Sequence, residues 1–459
     1  MSSDDWGIRT FMRRLGIIDR SDLVFYAAIA LLPVDGLRVG LSMPFWNPVS
    51  PVLFAAYVVL NARMLPRVMR VYRFWMWFPV VLLAMSVFGW ATVAFHPLRA
   101  LVSFVAVMLG LACLASLDIA LRIKRLPVTS VVTVLVVAYW CAFAVGVLEF
   151  VSIKAHLNTL HTWFMRMMQR NYVAARPQFL FAEPSYIGMH LFGVLLPAYW
   201  LTRDRRIAVL VPCFAFGAVA MGAGSRIVVD TLVAAVACLV ALAPWRRFRR
   251  ATLWRGAIAA VCVFVVATIL AVATNPRLFA IWRRGLWNGD ASMSARLFRS
   301  LSPMLAGFDD PAHLLFGFGA GNLGEAMRRG FPHASAWVVE RHGSMTAEMS
   351  GLAHVADSSA FSMNAYVSIV AEFGLFVLVA LVVALLWQVT RNRRWDAVTV
   401  AWLLLLAYLY CQYEAYAFYA FWLFIWATGQ AMSPTSPLVA DDCDPLRHRP
   451  ADRVDDGWR

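Results

Sequence analysis

The residues with chemistry to offer in this 459-residue chain are arginines and carboxylates set beside long apolar runs. Arg226 opens such a run directly after the turn Gly222-Ala-Gly-Ser225, and Arg296 lies in Ser292-Met-Ser-Ala-Arg-Leu-Phe-Arg299. Guanidinium forks match phosphate oxygens in bidentate fashion, so two arginines at one membrane edge are suited to clamp a diphosphate. The plainer reading of Arg226 is a juxtamembrane side chain snorkelling to headgroups. Against it stands the cost of an arginine beside apolar helix ends, roughly 2.5–3.5 kcal/mol at the bilayer centre and less near the surface. Glu183, in Phe181-Ala-Glu-Pro-Ser-Tyr186, reads either as an acid complementing the start of a helix ahead of Pro184, or as a general base or sugar-hydroxyl anchor. Glu372 lies a little more than two turns inside an apolar run, where a carboxylate needs a partner. Glu414 sits in a short connection.

Most of the remaining polar chemistry falls between Pro276 and Met363, which reads as one large excursion between apolar segments. It holds Arg296, Asp309-Asp310, the histidines His333, His342 and His354 and the turn-rich run Leu315-Phe-Gly-Phe-Gly-Ala-Gly-Asn322. That run lacks the Gly-Lys-Ser/Thr ending of a P-loop and the strand–helix setting of a dinucleotide site, so a tight turn packing the excursion against the spans is expected. The histidines have no His-x-x-x-His spacing, and a lone loop histidine is more often solvated than a proton acceptor. The seven cysteines are scattered, mostly in apolar segments, which offers neither a disulfide framework nor zinc spacing. No metal and no cofactor is expected.

What must position these groups is a membrane-spanning bundle. Hydrophobic residues make up 61% of the chain and charged residues only 15%, against roughly 45–50% apolar in a soluble domain. The apolar runs are about 18–23 residues long, enough to cross a hydrocarbon core of roughly 30 Å, and they number about twelve. An all-α polytopic membrane protein follows, since a barrel's strands would alternate in ~10-residue units. The +15 charge sits in short arginine-rich loops, which marks topology rather than nucleic-acid binding. Alternating the loops from a cytoplasmic N-terminus places those arginines inside. It places the 155–182 loop, the Arg226 turn and the large excursion outside. The start, with Arg9, Arg13 and Arg14, shows no cleavage site before the next span and reads as uncleaved. Residues 155–170 carry apolar side chains at helical spacing and fit a helix lying in the membrane interface. The domains expected are an N-terminal bundle of about nine helices (1–275), a large outer loop (276–363), C-terminal spans (364–431) and a disordered cytoplasmic tail (432–459).

Several pieces together resemble the O-antigen polymerase and O-antigen ligase superfamily of bacterial envelope polysaccharide assembly. They are Phe181-Ala-Glu-Pro-Ser185, Gly224-Ser-Arg226, Ser294-Ala-Arg296, the glycine-rich run ending at Asn322, and Met363-Asn-Ala-Tyr-Val-Ser-Ile-Val-Ala-Glu-Phe-Gly-Leu375. Each is weak alone, but their order around one large outer loop makes the set specific over roughly 175–385. The resemblance implies a GT-C-like, metal-independent glycosyltransferase of the bacterial inner membrane. It would act at the periplasmic face on undecaprenyl-diphosphate-linked oligosaccharides. By motif match, Arg226 and Arg296 would bind the diphosphate, Glu183 is the first candidate base, and Asn364, Tyr366 and Glu372 would contact substrate. A chain-length regulator and a flippase of the same pathway are the implied partners, beside the bilayer itself.

In the ligase branch a histidine usually precedes the asparagine that opens the span after the loop. Here Met363 stands there, which favours the polymerase. The alternatives are a ligase-type transferase and a transporter or flippase of lipid-linked sugar. A transporter should carry internal repeats and midplane charges, whereas here the polar groups gather at one face.

Overall fold

The computed structural model describes residues 19–38, 48–168, 176–242 and 251–429, and every regular element among them is helical. The single β contact is an isolated bridge between Leu37 and Met168. The chain begins with α1 (Ser21–Ala30), α2 (Ser50–Leu60), α3 (Leu65–Thr92), α4 (Pro97–Leu117), α5 (Val128–Lys154) and α6 (Asn158–Met167). A broken passage follows, with short turns at Pro184–Tyr186 and Ile187–His190, a π-turn at Leu191–Leu195 and then α7 (Leu196–Thr202). Next come α8 (Arg205–Ala220), α9 (Ser225–Leu242) and α10 (Ala251–Thr274). The former excursion supplies α11 (Pro276–Asn288), α12 (Ala291–Asp309), α13 (Pro311–Phe316) and α14 (Leu323–His342). The chain closes with α15 (Ala365–Phe373), α16 (Leu375–Arg391), α17 (Ala397–Tyr410) and α18 (Tyr419–Gly429). Arg9, Arg13, Arg14, Arg170, the 243–250 basic loop and the tail from residue 432 lie outside the described residues.

Four helical stretches are long and apolar enough to cross a membrane: Ala62–Thr92, Pro97–Ile123, Val128–Lys154 and Ser225–Leu242. A fifth qualifies only as a pair, Phe264–Thr274 with Pro276–Asp309, bent by 95°. Five more helices (α1, α2, α16, α17 and α18) are apolar but only 10–17 residues long. The sequence suggested about twelve crossings; the count by helix length is smaller because apolar runs break. Gly374, at φ +87°, separates α15 from α16, and the run from 187 to 202 is interrupted by its π-turn. Helix starts follow the local chemistry. Asn275, Asp290, Asn364 and Asp396 each accept backbone N–H groups at an N-cap, and Pro97 and Pro276 occupy first turns where their missing N–H costs nothing.

The stretch expected as a large loop is mostly helical and has its own small core. Phe298, Phe318, Met327, Ala334 and Val338 are buried together there. α12 and α14 approach closely enough that a Cβ on Gly330 would sit 1.7 Å from the Ser302 carbonyl oxygen. Ser302 Oγ seals that contact by donating to the Met327 carbonyl at 2.6 Å. The glycine-rich run is the weld between this cap and the bundle, as its lack of phosphate-loop features suggested. The Phe318 and Gly319 amides donate to the Ala371 and Glu372 carbonyls at 2.7 and 2.9 Å. The Trp90 indole donates to the Ala320 carbonyl and Asn322 Nδ2 to the Ala94 carbonyl. Gly317, at φ +85°, abuts Gly374, and a Cβ on it would lie 2.5 Å from the Glu372 carbonyl oxygen.

Candidate functional site

The strap 176–183 is held by several buried side-chain hydrogen bonds. Glu149, at the end of α5, accepts from the Gln178 and Phe179 amides at 2.7 and 2.9 Å. Gln178 Nε2 in turn donates to the Phe181 and Ala182 carbonyls. The buried Asp35 accepts from the Ala182 amide at 2.8 Å and faces His190 Nε2 at 2.9 Å, while the Tyr139 hydroxyl meets the other ring nitrogen. Five side chains from three separate parts of the chain therefore fix the backbone that presents Glu183. Glu183 then reaches across to α12, where its Oε1 lies 3.1 Å from Arg296 Nη2.

Arg226, at the start of α9, is held differently. Its Nη2 donates to the Gln412 carbonyl at 2.8 Å, and its Nε stands 3.9 Å from Asp230 one turn along. The side chain is only 10% exposed, yet Nε and Nη1 are buried with no hydrogen-bond partner. Asp230 spends its other oxygen on the Tyr408 hydroxyl and Gln412 Nε2, at 2.6 and 3.1 Å. It lies within electrostatic reach of both Arg226 and Arg296, which brings the two arginines to one locus. Buried unsatisfied donors cost about 1–3 kcal/mol each, more for a charged group. Arg176 approaches the same place, its Nη1 within 3.5 Å of where a Cβ on Gly224 would stand.

A cavity of about 140 Å³ is walled by Arg99, Tyr186, Phe361, Glu372, Tyr413 and Glu414; Tyr186 follows Glu183 by three residues and Tyr413 follows Gln412. Glu372 has the partners its depth demands, and they are neutral: Ser103 Oγ at 3.1 Å, the Gly321 amide at 2.9 Å and the Tyr416 hydroxyl at 3.2 Å. Glu414 accepts from the Ser362 and Met363 amides, and burial pushes its carboxyl above the ordinary glutamate range. Tyr416 also borders an apolar groove of about 350 Å³ that runs down the bundle past Tyr366, Phe373 and Phe78.

Of the residues singled out from sequence, the structure pairs Glu183 with Arg296, links Arg226 and Arg296 through Asp230, and sets Glu372 on the cavity walled by Tyr186 and Tyr413. Asn364 caps α15 through the Tyr366 and Val367 amides, and Tyr366 lines the groove with its hydroxyl on the Ala407 carbonyl at 3.1 Å. Among the loop histidines, His333 faces Asp309 at 2.9 Å and His342 stacks on Trp287. Asp230, Arg176 and Arg99 were not singled out. The i,i+4 spacing from Arg226 was the available signal for Asp230. For Arg176 and Arg99 it was their place at the face opposite the arginine-rich loops. No known protein-family model matches this chain, and no curated protein matches it.

Proposed function

We propose that this chain is a polysaccharide polymerase. It is a membrane glycosyltransferase that moves a growing glycan from undecaprenyl diphosphate to a lipid-linked repeat unit. The observation that carries the reading is the buried Arg226 fork, with Nε and Nη1 unsatisfied, sharing Asp230 as an electrostatic partner with Arg296, which itself pairs with Glu183. In the resting protein each arginine faces a carboxylate, Asp230 or Glu183, at 3.9 and 3.1 Å. A diphosphate offers more charge and better-matched oxygens, so it takes over the forks and releases Glu183. The freed Glu183 accepts the proton of the acceptor hydroxyl as that oxygen attacks the anomeric carbon. The bond from that carbon to the diphosphate oxygen breaks, and its electron pair leaves with the diphosphate. Arg226 and Arg296 stabilise the negative charge gathering there.

The cavity between Arg99 and Glu414 is the place for the acceptor sugar, whose hydroxyls suit carboxylate and phenol partners. The apolar groove below Tyr416 takes prenyl chain. The finer architecture belongs to the same proposal. It is a GT-C-like bundle of about twelve crossings in a bacterial inner membrane, the shorter apolar helices crossing with their flanking turns and the cap facing the periplasm. Met363, at the position where the ligase branch carries histidine, keeps the ligase second.

Cells lacking the gene test the choice. Single repeat units accumulating on the carrier, with no long chains, are expected. Long chains retained on the carrier would mean a ligase, and repeat units held on the cytoplasmic leaflet would mean a transporter.

A further inference from the structure

At the opposite, arginine-rich end of the bundle, α3 and α16 part around a cleft of about 660 Å³. α3 is kinked there: Tyr72 leaves helical geometry at φ −107°, ψ 28°. The floor of the cleft is pinned by side chains that satisfy one another. The Trp75 indole donates to Gln388 Oε1 at 2.6 Å, and Gln388 Nε2 donates to the Ile425 carbonyl and Thr428 Oγ1. The Tyr72 hydroxyl donates to the Trp426 carbonyl. The rim is different. Arg70, Arg73 and Arg391 line the cleft and are exposed, and no carboxylate stands within 4 Å of any of them among the described residues. Arg391 lies over the Trp387 ring at 4.9 Å. Trp77 and Trp387, 60% and 52% exposed, flank the same mouth, the placement of indoles at the level where hydrocarbon meets headgroups.

We infer that this cleft binds the headgroup of an anionic phospholipid of that leaflet, the phosphate among Arg70, Arg73 and Arg391 and the acyl chains along Trp77 and Trp387. A rigid polar floor, three exposed arginines without a carboxylate partner among the described residues and an aromatic threshold are what basic pockets between membrane helices present to acidic lipids. Arginines that only marked topology would need none of the enclosure. The site lies away from the Arg226–Arg296 clamp and does not depend on the reaction proposed for it.

Native mass spectrometry of the full chain released from detergent micelles, with phosphatidylglycerol or phosphatidylcholine added, tests this. The expected result is one retained phosphatidylglycerol, held about a hundredfold more tightly than phosphatidylcholine, with about fivefold lost per arginine changed to Gln. The triple Arg→Lys variant should keep most of the binding, because charge rather than the fork is what an exposed rim supplies. Soluble glycerol phosphate should not compete. Equal retention of both lipids, or undiminished binding in Arg70→Gln, Arg73→Gln and Arg391→Gln singly, would overturn the site. Full competition by glycerol phosphate would overturn the lipid and point to a soluble phosphate ligand.

Discussion

Arg296→Lys isolates the arginine fork from its charge. The Arg296–Glu183 pair is 27% and 14% exposed at 3.1 Å, and exposed or part-exposed ion pairs contribute about 0–1 kcal/mol, so a lysine that keeps the charge should leave folding nearly intact. Catalysis should suffer far more. Loss of one preorganised donor to a developing oxyanion costs about 10²–10³ in rate, and a compact ammonium cannot supply two parallel N–H bonds to a diphosphate. The variant should therefore melt within a few degrees of wild type in detergent. Its transfer from lipid-linked repeat units should fall by about a hundredfold or more. Measured with purified protein, the ratio of initial rates decides it. A rate within threefold of wild type, in protein that melts normally, would refute the clamp.

Arg226→Gln removes a buried cation with two unsatisfied nitrogens, so it should abolish transfer while costing less stability than most buried-charge deletions; a melt lowered by more than that of Asp230→Asn would speak against this. Glu414→Gln should raise the melting temperature at pH 8. A carboxyl held above its usual range in the folded state loses stability as pH rises past the unfolded value, and the gain should vanish below about pH 4.5. Gly317→Ala, at φ +85° with the Glu372 carbonyl 2.5 Å from the new methyl, should cost at least about 1–3 kcal/mol and loosen the weld between cap and bundle, read as faster proteolysis within 276–363. Chelation with EDTA should leave transfer unchanged, since diphosphate is already a good leaving group and two arginines meet its charge. Inhibition reversed by magnesium or manganese would reject that mechanism.

The helical class and the membrane setting were legible from apolar run length, and the glycine-rich weld from the motif features it lacks. What was not legible came from contacts distant in sequence. Depth alone said that Glu372 needs a partner; it finds three, all neutral, 269, 51 and 44 residues away. The excursion over 276–363 was legible from its polar content, but the extent of its helices was not. Beside Phe298, the buried side of α12 uses small residues, Ser294, Ala295 and Ser302, that a hydrophobicity pattern passes over. Glu183 and Arg296 were named separately from two motifs 113 residues apart, and only the strap pinned by Glu149 and Asp35 explains why they meet.

The most direct test of the polymerase reading uses the purified protein in liposomes with one defined substrate, an undecaprenyl-diphosphate-linked repeat unit. Product length and released carrier diphosphate are followed together. A ladder of lengthening lipid-linked chains is expected, with one carrier diphosphate freed per unit added and both signals lost in Arg226→Gln. Carrier release without lengthening, or no consumption of the substrate by folded protein, would contradict it.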